Sequence, residues 1–293
     1  MDIIMGITIV VCGALIAVLL AIVFFGIAGK VSGNPKTDIK KSKSSKINVK
    51  ACMENDEFYQ QFQPFVSAKS GKIIGCEALT RLRGKDGNVI MPSDFLPIIE
   101  SEKLGTEFDL YVYKSCCKWA VSRKKENLFI TCNFSRGTLS EKDIVDKIKN
   151  INDNLGVPYN TTAIEIIEDC INGNADMLYS NIRKLKKHGF KICLDDFGKD
   201  YTSLRDISAF LPNVIKLDKS ILSAADAGHG KLILENLVSM AKQIGAYVLC
   251  EGVETETQVR IAKECGCDIF QGFYYYKPMD SDLFDKLLKE NEI

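Results

Sequence analysis

The feature that most narrows the possible folds is a regular alternation of short β-rich runs with longer stretches of helical spacing. The β-rich runs fall at residues 58–67, 72–82, 128–134, 162–167, 190–195, 214–218, 246–251 and 268–273. Helical patterns fill the gaps at about 94–104, 107–124, 140–154, 175–188, 203–210, 229–244, 255–265 and 280–290. Such alternation implies a mostly parallel sheet covered by helices, and eight strands are the number that closes a (β/α)8 TIM-type barrel. The first two runs are joined only by residues 68–71, too few for a crossover helix, so that pair is expected as an antiparallel hairpin within the barrel. An open doubly wound sheet is the competing fold. It is weakened by the lack of a Gly-x-Gly-x-x-Gly turn after any strand and of a Gly-Lys-Ser/Thr phosphate loop.

The amino end differs from this body. Residues 3–29 carry no charge, and a helix needs only ~20 apolar residues to cross a bilayer. A cleaved signal peptide fits less well, because the lysines follow the apolar run instead of preceding it. The expected fold class is therefore α/β, a (β/α)8 barrel with one antiparallel strand, preceded by a single N-terminal transmembrane helix. The expected organisation is an anchor at 1–28, a Lys/Ser-rich linker at 29–50 and a barrel domain at 51–293. By the positive-inside rule, the barrel is expected in the cytoplasm beneath the cell membrane, with the linker lysines near anionic headgroups.

Composition limits the chemistry. Lys plus Arg and Asp plus Glu are balanced at 38 each, so no global positive field favours a nucleic-acid polymer. Residues 1–50 hold Lys30, Lys36, Lys40, Lys41, Lys43, Lys46 and Lys50 against Asp2 and Asp38, which leaves the remainder acidic. Only His188 and His229 are present, and the 11 cysteines form no Cys-x-x-Cys pair. Neither a His/Cys zinc centre nor a disulfide framework is expected, and the chemistry must run on carboxylates.

Those carboxylates sit in unusual places. The strand ends carry Glu77, Asn133, Glu165, Asp195 with Asp196, Lys216 with Asp218, Glu251 and Gln271, all among Ile, Val, Leu, Cys and Phe. The carboxyl ends of barrel strands share one mouth, so these groups should converge there. Buried acids need a cation, and oxygen ligands alone select hard ions such as Mg²⁺, Mn²⁺ or Ca²⁺. The adjacent Asp195 and Asp196 suit a pair of ions with one bridging carboxylate, an arrangement used for in-line attack on phosphate esters. Alternation turns Val214, Lys216 and Asp218 one way, so the Lys216 ammonium faces the acids, ready to orient water or stabilise phosphate. Taken singly, each of these residues reads as a solvated rim group or half of an ion pair. Their recurrence at one level on nearly every strand points to a site.

The ordered motifs resemble those of the EAL-domain cyclic-di-GMP phosphodiesterases. Glu77-Ala78-Leu79 followed by Arg81, Asn133 in CNFS, Glu165 with Glu168, DDFG at 195–198, IKLD with Lys216 and Asp218, EGVET with Glu251 and Glu254, and Gln271 in FQGFYYYKP follow that family's order. The resemblance implies hydrolysis of cyclic-di-GMP to linear pGpG with two Mg²⁺ or Mn²⁺ ions, Ca²⁺ being inhibitory. It implies that Glu77, Asn133, Glu165 and Asp195 hold one ion and that Asp195 and Asp196 hold the second. Lys216 and Glu251 position the water, with Glu77 in the same catalytic group. Arg81, Gln271 and Asp218 serve the substrate, and Glu168 and Glu254 support the site. A homodimer is also implied. Where active relatives continue Thr/Ala-Gly-Tyr-Ser-Ser after DDFG, this chain reads Lys199-Asp200-Tyr201-Thr202-Ser203. Lys199 is expected to pair with Glu168 or with substrate phosphate.

That altered loop keeps a second reading open, a weak or inactive cyclic-di-GMP receptor that signals through a protein partner. A tethered scaffold indifferent to nucleotides is disfavoured, because it has no use for a convergent acidic ring.

Overall fold

The computed structural model describes residues 47–123, 128–166, 174–199, 204–225 and 228–291. Helix α1 (Val49–Glu54), capped by the Asn48 side chain, leads into the hairpin β1 (Phe58–Ser67) and β2 (Ile73–Arg83). A short β3 (Val89–Ile90) and helices α2 (Pro92–Ser101) and α3 (Gly105–Arg123) precede β4 (Phe129–Phe134). Next come α4 (Arg136–Leu139), α5 (Ile144–Leu155), β5 (Thr162–Ile166), α6 (Ala175–Lys187) and β6 (Lys191–Phe197). The chain continues through α7 (Leu204–Phe210), β7 (Val214–Leu217), α8 (Lys219–Ala224), α9 (Gly230–Gln243) and β8 (Tyr247–Cys250). It closes with α10 (Glu256–Glu264), β9 (Ile269–Phe270), β10 (Met279–Asp280) and α11 (Ser281–Glu290).

Parallel pairing runs β2-β4-β5-β6-β7-β8-β9, and β1 closes the ring by pairing antiparallel with both β2 and β9. The barrel thus has eight strands, one of them reversed, while β3 and β10 extend its edges without joining the ring.

Two corrections to the sequence expectations follow. The expected fold class placed a transmembrane helix before the barrel. Among the described residues no helix is long and apolar enough to cross a membrane, and residues 1–28, on which that expectation falls, lie outside them. Among the described residues the fold is a closed eight-stranded barrel. The expected strand at 268–273 shrinks to Ile269–Phe270, because the Gln271 carbonyl accepts from Val253 N–H in the loop after β8 and the chain turns from Gly272.

Apolar side chains form two bodies. The larger lies between the outer barrel surface and the helices and includes Phe62, Trp119 and Phe284, whose rings stack. The smaller fills the barrel itself with Phe65, Cys193, Val214, Leu249 and Ile269. Gly75 belongs to this floor by omission: a Cβ there would come within 2.5 Å of the Phe129 carbonyl oxygen, so only glycine lets β2 and the Phe129 ring close up.

Candidate active site

The site is one storey above that floor. Strand side chains alternate with period 2, so the residue two positions beyond each floor residue points inward one level higher. Cys193 is followed by Asp195, Val214 by Lys216, Leu249 by Glu251 and Ile269 by Gln271. Register places Asn133 beside Glu165, and Glu77 beside Gln63 on the reversed strand.

At the centre stands Lys216, 1% exposed. Its Nζ lies 2.5 Å from Glu165 Oε1, 2.7 Å from Glu251 Oε1, 2.8 Å from Asp195 Oδ1 and 3.2 Å from Glu77 Oε2. Burial would lower the Lys216 pKa, but the four carboxylates, Asp195 foremost, outweigh it and hold the ammonium firmly protonated. Burial in turn pushes the Glu165 carboxyl well up despite Lys216, and pushes Glu251 up to about 8. One ammonium cannot balance the buried Glu77 and Glu165 together with the half-buried Asp195 and Glu251, so the ring as built is short of positive charge.

Two further facts show where that charge fits. Asn133 Oδ1 and Glu165 Oε2 are buried and make no hydrogen bond, although buried polar oxygens are almost always satisfied. Asp195, Asp196 and Glu251 present ligand atoms within 4.8 Å of one another, the one such acidic set among the described residues. An all-oxygen donor set with orphaned inward oxygens suits hard divalent cations.

The remaining candidates take distinct places. Gln271, 4% exposed, donates to Glu77 Oε2 at 2.7 Å and to Gln63 Oε1 at 3.1 Å, locking Glu77 in orientation. Arg81 lies four residues beyond Glu77 on the same inward face, its Nε donating to Gln61 Oε1 at 3.1 Å and its Nη1 to the Thr80 carbonyl at 2.9 Å. Asp218 caps α8, accepting the Ser220 N–H at 2.8 Å, and its pKa is lowered: burial acts upward, and the Ser220 hydrogen bonds together with the Lys199 and Lys219 charges outweigh it. Glu254 stands exposed at the rim, outside the ring. Lys199 Nζ sits 3.1 Å from Asp196 Oδ2, a partner the sequence did not suggest. Glu168 lies outside the described residues.

A cavity of about 300 Å³ opens onto this layer, lined among others by Gln63, Glu77, Glu251, Gln271 and Phe273. Gln63 is a site residue that sequence reasoning missed. Reading every strand toward its carboxyl end passes over β1, whose reversed direction puts the inward polar residue two positions before the floor residue Phe65. The signal was present in the hairpin, which already required β1 to run backward.

Comparison with known proteins gives a consistent result. The model of the EAL domain matches residues 48–278. Signaling protein YkoW of Bacillus subtilis is 29% identical over 246 residues, covering 83% of this chain and 31% of the relative. The Escherichia coli protein named cyclic di-GMP phosphodiesterase PdeR is 28% identical over 247 residues, covering 83% of this chain and 37% of its own length. The chain therefore spans about a third of the length of these curated relatives. The crystal structure of an EAL domain protein from Listeria monocytogenes superposes with a TM-score of 0.74 at 25% identity, covering 84% of this chain and 99% of that one.

Proposed function

The chain belongs to the EAL domain family, and from that membership we propose that it is a metal-dependent phosphodiesterase that opens cyclic-di-GMP to linear pGpG. The observation that carries this reading is the excess of buried carboxylate over buried cation at the barrel mouth, with Asn133 Oδ1 and Glu165 Oε2 left unsatisfied.

Glu77, Asn133, Glu165 and Asp195 would hold one Mg²⁺ or Mn²⁺ and Asp195, Asp196 and Glu251 a second; bound there, the ions supply Lewis-acid polarisation of phosphate and an ionised water. The chain's own residues do the rest. Lys216 brings a protonated ammonium into a nearly dry site, where it donates to the water or to a phosphate oxygen and stabilises charge as it develops. Glu251, 2.7 Å from that ammonium, orients the attacking water and accepts its proton. Arg81, held by Gln61 and Thr80, presents a fixed guanidinium to a substrate phosphate and spares the cost of ordering it at the moment of binding. Gln271 keeps Glu77 aimed inward.

The test is incubation of the full chain with cyclic-di-GMP and Mg²⁺, with pGpG followed by chromatography. Turnover is expected, and Glu77→Ala, Asp195→Asn or chelation should abolish it. Tight nucleotide binding measured calorimetrically in Ca²⁺, without any pGpG in Mg²⁺, would replace the enzyme reading with the receptor one. No binding and no product would remove both.

A further inference from the structure

Asp196 departs from its strand. It has φ +50°, in the left-handed region, at the bulge where β6–β7 pairing shifts between Leu194 and Phe197. Alternation would have turned Asp196 away from Asp195. The left-handed residue undoes that alternation, which is why two consecutive aspartates can gather with Glu251. Gly198, also at positive φ (+96°), completes a tight turn in which Lys199 N–H donates to the Asp196 carbonyl at 3.2 Å. The turn folds Lys199 back over the aspartate, and its Nζ reaches Asp196 Oδ2 at 3.1 Å.

The two lysines of the site differ in how they are held. Lys216 is sealed in at 1% side-chain exposure, whereas the Lys199 side chain is 52% exposed. An ammonium on Asp196 Oδ2 and a divalent ion on the same carboxylate repel one another, so each weakens the other's hold on it.

We propose that Lys199 is a built-in counter-cation that competes with the divalent ion held by Asp195, Asp196 and Glu251. It thereby weakens that ion selectively and makes full occupancy depend on the free metal concentration. This rests on the two-ion reading above.

The test is calorimetric titration of the metal-stripped full chain with Mn²⁺ alone, comparing wild type, Lys199→Met and Lys199→Arg, with no nucleotide and no turnover involved. Two binding events are expected. The weaker should tighten about fivefold in Lys199→Met, the upper end of what an exposed ion pair contributes, and stay at the wild-type value in Lys199→Arg, which keeps the charge. The tighter event should not move. Equal weak-site affinity in wild type and Lys199→Met overturns the proposal, as does tightening in Lys199→Arg equal to that in Lys199→Met; either result leaves the phosphodiesterase reading standing. Absence of any Mn²⁺ binding in all three proteins overturns the metal-dependent reading itself. Melting in chelator separates these outcomes from misfolding, because a half-exposed side chain should leave the midpoint unchanged.

Discussion

Replacing Lys216 by Met should turn a metal-tolerant barrel into a metal-dependent one. The substitution keeps the volume but removes the ammonium that faces Glu77, Glu165, Asp195 and Glu251 at 2.5–3.2 Å. Breaking a buried ion pair by deleting one partner costs about 3–5 kcal/mol, and here four acids lose a shared partner, so the upper half of that range applies in chelator. For a domain of this size, 1 kcal/mol moves the melting midpoint by about 2–4 °C, which gives a drop of roughly 10 °C or more. A ligand at about 100 times its dissociation constant returns roughly 2.7 kcal/mol, so Mg²⁺ should recover much of the loss. Wild type, whose own lysine already occupies the ring, should gain less from the same addition. The assay is calorimetric or circular-dichroism melting of both proteins in chelator and in millimolar Mg²⁺. A Lys216→Met midpoint within about 2 °C of wild type in chelator, or one indifferent to Mg²⁺, would refute the charge argument.

Other expectations follow from the same geometry. In chelator the wild-type stability should fall as pH rises from about 5 to about 8. Burial raises the folded-state Glu251 pKa to about 8, above its unfolded value near 4.5, so the folded state binds the extra proton across that window and loses the associated stability as the proton leaves. Denaturant midpoints across that range would show the slope, and a stability that climbs with pH contradicts it. Gln63→Ala should lower turnover by about tenfold while barely moving the melting midpoint, because it removes one of the two acceptors that hold Gln271 against Glu77. Steady-state kinetics on pGpG release checks this. Asp206→Ala should cost about 3–5 kcal/mol in urea unfolding, since it strands the buried Arg136 whose Nη2 lies 2.8 Å from Asp206 Oδ2, whereas Arg136→Met with Asp206→Leu should cost much less. Gly75→Val should destabilise by about 1–3 kcal/mol through overpacking against Phe129, read from the same unfolding curves.

Much of the barrel was visible in the chain because its two periodicities are clean. Each parallel strand is a short apolar run whose neighbours in sequence are amphipathic helices, and the helix α6, predicted at 175–188, runs Ala175–Lys187. Positions such as Lys216 and Glu251 stood out because polar residues there break otherwise apolar strands. What escaped the sequence depends on geometry that pattern does not encode. Gln63 requires strand direction. The pairing of Lys199 with Asp196 requires left-handed backbone at Asp196 and Gly198. Asp218 was read for its charge alone, although Asp followed by Lys219-Ser220 is also a helix cap, and the short helix α8 that it starts was not anticipated. The strands β3 and β10 are two residues each, too short to carry any period. The amino-terminal expectation drew on hydropathy and on the placement of the lysines, and it falls on residues outside the described ones, among which no helix is long and apolar enough to cross a membrane.

The plug of Phe65, Cys193, Val214, Leu249 and Ile269 beneath the acidic layer has a kinetic corollary. Among the described residues it closes the barrel beneath the acids, so a molecule that reaches them comes and goes by the mouth. A molecule seated against the acids has to withdraw through that mouth before another can take its place.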